Sequence, residues 1–315
     1  MKPNIMPYDR RSFLQTLAMA GAAIPLRSLA FPADSREIHG FSKPFQFPWM
    51  DYAMLCETFA AAGLNGVDYT VRPEGHVTPD KVAQDLPKAV AAARKAGISA
   101  KLMTTAILYA DDPATAPVLQ AAAAEGIQYY RMGWYDYEKG KPLLESLHNR
   151  GNQMKALAAL NKKYNIKAAY QNHAGLKIGA GVWDLYEMIK EVDPAWAGVQ
   201  YDIRHATVEG ANSWPVGLQL ISPHINTIVI KDVRWIQQKG KYVLENVPLG
   251  EGMVDFTGYF KKIKELNIKA PISLHLEYPL LTKEDESLPV SQKQKIVQAK
   301  LKKDVDTLKG WLAAM

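Results

Sequence analysis

Of the 315 residues only one, Cys56, is a cysteine, so no internal disulfide can form and no tetrathiolate zinc site can be built. Any metal would have to be held by His, carboxylate or amide ligands. Beyond the first 30 residues no segment has the 18 uninterrupted apolar residues that mark a membrane-spanning helix. No G-x-G-x-x-G turn follows the first strand-like run, which counts against a dinucleotide fold. Charge of one sign is not abundant either. The balance of 38 Lys plus Arg against 32 Asp plus Glu gives +6, and 48% hydrophobic with 22% charged residues is globular composition.

The N-terminus reads Asp9-Arg10-Arg11-Ser12-Phe13-Leu14-Gln15, continues apolar to Leu26 and ends at Ser28-Leu29-Ala30, a small-x-small pattern suited to signal peptidase. The apolar part is shorter than the roughly 20 residues that cross a bilayer. The paired arginines resemble the twin-arginine motif of bacterial signals, which serves proteins exported already folded. The expectation is a removable signal over residues 1–30, a periplasmic mature protein over 31–315, and no membrane partner for the mature form. An amphipathic N-terminal helix is the plainer alternative. Lys2, Arg10, Arg11 and Arg27 against Asp9 give this segment +3, half of the total, so the remainder is a weak footprint for nucleic acid and none is expected as partner.

Short β-rich runs recur at 41–47, 66–71, 99–104, 128–132, 168–172, 198–202, 227–231 and 272–277. Helical patterns lie between them at 48–62, 81–96, 114–125, 142–164, 181–192 and 256–266, and a Lys-rich amphipathic pattern closes the chain at 290–315. Parallel neighbours require crossover connections, so this alternation predicts an α/β fold, a (β/α)8 TIM barrel forming one domain. The segments 235–254 and 280–290 read as irregular.

A barrel of this kind builds its active site at the carboxyl ends of its strands. Those ends read Arg72-Pro73-Glu74-Gly75-His76, Tyr170-Gln171-Asn172-His173, Tyr201-Asp202-Ile203-Arg204-His205, Lys231-Asp232 and His275-Leu276-Glu277-Tyr278. Side-chain alternation puts Ser273, His275 and Glu277 on one face, with Gln171 and His173, Gln200 and Asp202, and Val229 and Lys231 paired in the same way on their strands. Charges gathered inside a barrel need partners or a metal. Gln171, Asp202, His275 and Glu277, with His173 and His205 nearby, are oxygen and nitrogen donors suited to Mn, Mg or Zn. Two alternatives stay open: Glu277 paired with Arg204 or Lys231 and no metal, and His275 orienting Glu277 instead of ligating. Arg72, Arg131 and Arg204 are candidates for bidentate contact with a carboxylate or phosphate. Trp134 and Trp235 could stack on a sugar, and His76, after a Pro-Glu-Gly turn, reads as a substrate contact.

Together with Pro248-Leu249-Gly250-Glu251-Gly252, these strand ends resemble the xylose-isomerase-like TIM barrels, over residues 40–310, and among them the exported bacterial sugar phosphate isomerase/epimerase proteins. The resemblance implies a small-molecule carbohydrate substrate, proton abstraction beside a carbonyl, and a divalent ion held by a Glu, an Asp, a His and a Glu ending strands 5 to 8. Asp202 and Glu277 match two of these positions, whereas Gln171 and Val229 stand at the other two. The resemblance makes Glu277 the base, with Lys231, His173 or His205 as its partner. Because Gln171 cannot exchange protons, a lyase or hydratase acting on an oxidised sugar or glycoside is the alternative to an isomerase or epimerase. An inactive sugar-binding barrel and an abasic-site endonuclease are further alternatives, and association into a homo-oligomer is left open.

Overall fold

The computed structural model describes residues 36–315, so the export segment lies outside the described residues. Seven strands run in order: β1 Ile38–Phe41, β2 Gly66–Val71, β3 Ser99–Thr105, β4 Tyr129–Arg131, β5 Lys167–Gln171, β6 Ala197–Asp202 and β7 Ile225–Ile230. A hairpin of β8 Asp232–Gln238 and β9 Lys241–Val247 follows, and then β10 Ile272–Leu274. All strands but the hairpin close into a parallel barrel in the order β1-β10-β7-β6-β5-β4-β3-β2, which bears out the (β/α)8 expectation. The crossovers are α1 Tyr52–Ala62, α2 Val82–Lys95, α3 Thr115–Ala124, α4 Leu143–Tyr164, α5 Val182–Ile189, α6 Ile203–Gly210, α7 Trp214–Ile221, α8 Phe256–Glu265 and α9 Val290–Ala313.

Local chemistry sets several of these boundaries. Asp51 caps α1 by accepting the Met54 N–H at 2.9 Å, and Gly63 ends it in the left-handed region at φ 87°. The first strand starts earlier and stops sooner than the sequence pattern suggests. It ends at Phe41, and a 3-10 turn over Lys43–Phe45 follows, where Pro44 has no N–H for a sheet ladder. Lys43 is thereby turned onto the rim of the barrel. Among the described residues no helix is long and apolar enough to cross a membrane.

Residues 235–254, read from the sequence as irregular, are largely the β8–β9 hairpin, closed by Lys239 and Gly240 at φ 50° and 75°. Asp232 secures its base. Its carboxylate accepts the backbone N–H groups of Gly250 and Gly252 at 3.0 Å each, Val233 at 2.8 Å and Val254 at 3.3 Å. A Cβ at Gly252 would lie 2.1 Å from that carboxylate, so the backbone can approach only as glycine. The Lys231-Asp232 and Leu249-Gly250-Glu251-Gly252 motifs are thus two halves of one anchoring device that holds the hairpin over the barrel mouth.

Candidate functional site

The barrel interior is polar from the floor upward. Asp68 accepts Thr104 Oγ1 at 3.0 Å and Ser273 Oγ at 2.6 Å, and complete burial pushes its carboxyl up to about 6. Ser273 Oγ lies 3.0 Å from His275 Nε2, and the His275 ring stacks on Phe41 at 4.0 Å. Burial, helped by Lys231, pushes that imidazole down to about 3, so it is neutral.

Above this spine the ends of β5, β6 and β7 and the segment after β10 converge on one ammonium group. Lys231 Nζ lies 3.1 Å from Asp202 Oδ2, 3.0 Å from Glu277 Oε2 and 3.0 Å from His205 Nε2. Gln171 Nε2 donates to the same Asp202 oxygen at 2.7 Å. Asp202 is also the N-cap of α6, its Oδ1 accepting the His205 N–H at 3.2 Å, which turns the chain so that His205 faces Lys231. Burial raises the Glu277 carboxyl, but Lys231 outweighs it and holds the group well below the ordinary glutamate range. Glu277 is fixed from behind as well. Asn246 on β9 donates to its backbone carbonyl at 3.1 Å and accepts Arg204 Nη2 at 3.0 Å.

The His205 ring is kept neutral by burial and by the nearby Lys231, His173 and Arg204. Its Nδ1 faces two donors, the Ala174 N–H at 3.1 Å and Arg204 Nη1 at 3.0 Å. The one proton of a neutral ring is therefore assigned to Nε2. A protonated nitrogen cannot accept from Lys231, so two N–H groups of the ammonium go to Asp202 and Glu277 and the third has no protein acceptor at His205.

Two connected spaces open here. A cavity of about 800 Å³ is lined by Phe47, Trp49, Arg204, His205, Asn246 and Glu277 among others. An inner pocket of about 60 Å³ is lined by Arg72, Arg131, Trp134, Gln171, Lys231 and His275 among others, and Lys43, His173 and Glu277 border both spaces. Trp134 lies between His173, at 4.7 Å centroid to centroid, and the Arg131 guanidinium, 4.1 Å from its ring.

The sequence-selected residues Glu277, Lys231, His173, His205, Arg72, Arg131, Arg204, Trp134, Gln171 and His275 all border one of these spaces, and Asp202 lies directly behind Lys231. Trp235 and His76 do not. Trp235 sits on the hairpin, 46% exposed, and His76 is turned toward Thr70, its Nδ1 3.0 Å from Oγ1. Lys43, Phe47, Trp49 and Asn246 were not singled out from the sequence. Phe47 and Trp49 stack at 4.9 Å, and two aromatics flanking Pro48 in the segment after β1 are the one local signal that could have found them.

The donor set does not fit a divalent ion. Such an ion binds carboxylate oxygens at about 2.0–2.6 Å from several sides. Here the ammonium of Lys231 already lies between the two carboxylates, Gln171 turns its amide N–H toward Asp202, and the β7 position facing Asp202 is the fully buried, apolar Val229. His275 presents Nε2 to Ser273 and stacks on Phe41, while its buried Nδ1 has no hydrogen-bond partner among the described residues. Gln171, Asp202, His275 and Glu277 therefore do not form the coordination shell expected of them. Among the described residues no group of three or more His, Cys, Asp or Glu is placed to hold a metal.

The model of the xylose isomerase-like TIM barrels matches residues 56–298. The chain belongs to that family. Among solved structures it is similar to D-allulose 3-epimerase from Methylomonas sp., with 15% identity and a TM-score of 0.65 over 88% of this chain and 98% of the other. It is also similar to the probable 3-DHS dehydratase of Bacillus anthracis involved in petrobactin synthesis, with 12% identity and a TM-score of 0.62 over 85% and 97%. A family protein from Mycobacterium smegmatis, solved in complex with magnesium, gives 13% identity and a TM-score of 0.59 over 85% and 99%. At these identities the likeness carries the fold. An uncharacterized protein of Methanocaldococcus jannaschii is 23% identical over 138 residues, a match that spans 41% of this chain and 43% of that protein. Structural neighbours of this family member thus include both a sugar epimerase and a dehydratase.

Proposed function

We propose that this barrel is an enzyme acting on a keto-sugar, removing a proton from the carbon beside the carbonyl, with the Lys231 ammonium supplying the positive charge that a divalent ion supplies elsewhere. The single observation that carries this reading is Lys231 held between Asp202 and Glu277 on the wall of the inner pocket, with Glu277 also bordering the substrate-sized cavity. In this reading the sugar lies in the larger cavity against Phe47 and Trp49, with its carbonyl directed to Lys231. The third ammonium N–H donates to the carbonyl oxygen and stabilises the enediolate oxygen as it forms. Glu277 takes the proton from the adjacent carbon. Lys231 loosens its hold on Glu277 as it turns to the substrate, so basicity rises at Glu277 only when a carbonyl is in place. Return of the proton to the former carbonyl carbon, with the hydroxyl proton of the adjacent carbon passing to the former carbonyl oxygen, gives an isomerase. Delivery of a solvent proton to the opposite face, relayed by the neutral imidazole of His173 or His205, gives an epimerase.

The amide at Gln171 favours a second outcome. With Glu277 the one carboxylate bordering the inner pocket, the enediolate can instead expel an oxygen substituent from the next carbon, and Lys231 protonates the leaving oxygen in a lyase or dehydratase reaction. Export and residence in the periplasm belong to the same proposal and rest on residues 9–30. The test is exchange of carbon-bound hydrogen with solvent deuterium, followed by NMR over a panel of keto-sugars. Wild-type exchange that is lost in Glu277→Gln supports the reading, and full exchange in that variant overturns it. Ligand-induced stabilisation without exchange by the wild type would leave a sugar-binding barrel.

A further inference from the structure

We infer that the inner pocket is a carboxylate subsite, so that the substrate is an acidic sugar. This rests on the proposed function, since it concerns the same cavity. Four cations, Lys43, Arg72, Arg131 and Lys231, face this space against the single carboxylate of Glu277. Lys231 is matched by Asp202 and Glu277, and Lys43 lies 3.8 Å from Glu277 Oε1. That leaves the two arginines. Neither makes an ion pair among the described residues, although Arg131 is only 4% exposed. Arg72 Nε and Arg131 Nη1 are buried with no hydrogen-bond partner among the described residues.

A buried guanidinium nitrogen without an acceptor is costly, because its N–H is withdrawn from water with nothing in return. Asp68 attracts Arg131 but makes no ion pair or hydrogen bond with it, its two oxygens accepting the hydroxyls of Thr104 and Ser273. Trp134 offers Arg131 a ring face but no lone pair in the guanidinium plane. Burial and the like charge of Arg72 push Arg131 down to about 10, so it remains a cation at neutral pH; Asp68 and Glu277 attract it, but neither makes an ion pair with it among the described residues. A planar carboxylate matches the guanidinium fork in two parallel bonds. The pocket volume of about 60 Å³ equals only a few times the ~10–15 Å³ needed by one water. A carboxylate on its carbon fits that room. The geometry also places the anion beside the reacting centre, because Lys231 and Glu277 line the same pocket.

Titration calorimetry with D-glucuronate, D-glucose and D-glucose 6-phosphate tests this on the wild type and on Arg131→Met, Arg131→Lys and Arg72→Gln. The half-buried Arg72 gives a variant whose folding is secure should Arg131→Met unfold. Glucuronate is expected to bind at least tenfold more tightly than glucose, to lose that margin in Arg131→Met and Arg72→Gln, and to recover part of it in Arg131→Lys. Glucose affinity is expected to stay unchanged throughout. Equal binding of glucuronate and glucose, indifference of glucuronate to both arginines, or preference for the phosphate ester overturns the inference. The same titrations on Glu277→Gln separate the two readings. Arginine-dependent glucuronate binding with no hydrogen exchange by the wild type sinks only the proposed reaction. Exchange by the wild type, with glucuronate bound no more tightly than glucose and indifferent to both arginines, sinks only the carboxylate subsite.

Discussion

Replacing Lys231 by Met keeps the length of the side chain and deletes the charge that Asp202 and Glu277 share. Lys231 is 5% exposed, Asp202 is fully buried and Glu277 is 22% exposed, so the two carboxylates left behind are poorly hydrated and face one another across the vacated position. Removing one partner of a buried ion pair costs about 3–5 kcal/mol. For a chain of this size, at about 2 °C per kcal/mol, that lowers the melting temperature by roughly 6–10 °C at pH 7. The pH dependence gives the sharper check. In the wild type the Glu277 carboxyl is depressed, so its pairing contributes stability above the unfolded-state value of about 4.3, lost only as pH falls well below it. In the variant burial acts without the ammonium, the carboxyl is raised, and stability falls as pH rises through the new value. The gap between the two proteins is therefore largest at neutral pH and narrows on acidification. Melting curves by circular dichroism at pH 7 and pH 4 measure it. A variant as stable as the wild type at pH 7, or a gap that widens at pH 4, would refute the reasoning.

Three further outcomes follow from the same contacts. Asp232→Ala deletes the acceptor of four backbone N–H groups and should cost about 3 kcal/mol in urea denaturation, with new proteolytic cutting in the hairpin; unchanged stability would show the anchor to be idle. Asp68 has a folded-state value raised to about 6, so it contributes stability below its unfolded value of about 3.9 that is lost as pH rises through 6. Asp68→Asn should therefore gain about 1–3 kcal/mol on the wild type at pH 8 and little at pH 4; the reverse order would contradict the assignment. Lys231→Met should also move the acid limb of kcat/KM upward in pH, because Glu277 must be ionised to act and loses the charge that keeps it so; a limb that stays in place removes Glu277 as the base.

The barrel was legible because strand and helix periods alternate and because the strand ends carry nearly all of the polar residues that face the cavities. The hairpin over residues 232–247 was not, because Lys239-Gly240 is its only local turn signal and its base is set by Asp232 reaching across the loop to Gly250 and Gly252. α6 and α7 were also missed, since the N-cap of the first is Asp202, a residue whose charge drew attention to the site instead of to the helix. Donor types could be read from the sequence, but their aim could not. Gln171 offers an N–H to Asp202 where an oxygen toward an ion was expected, and His275 is held by Ser273 and Phe41. Val229 and Gln171 were visible as departures from the family pattern, yet only the fold shows that Lys231, two residues beyond Val229, fills the space between the carboxylates.

The central claim is that this ammonium, and no divalent ion, joins Asp202 to Glu277. Anomalous diffraction from crystals of the protein grown with millimolar manganese tests it most directly. The account predicts continuous density from Lys231 Nζ to both carboxylates and no anomalous peak between them. A manganese peak at that position, with the Lys231 side chain displaced, would contradict it.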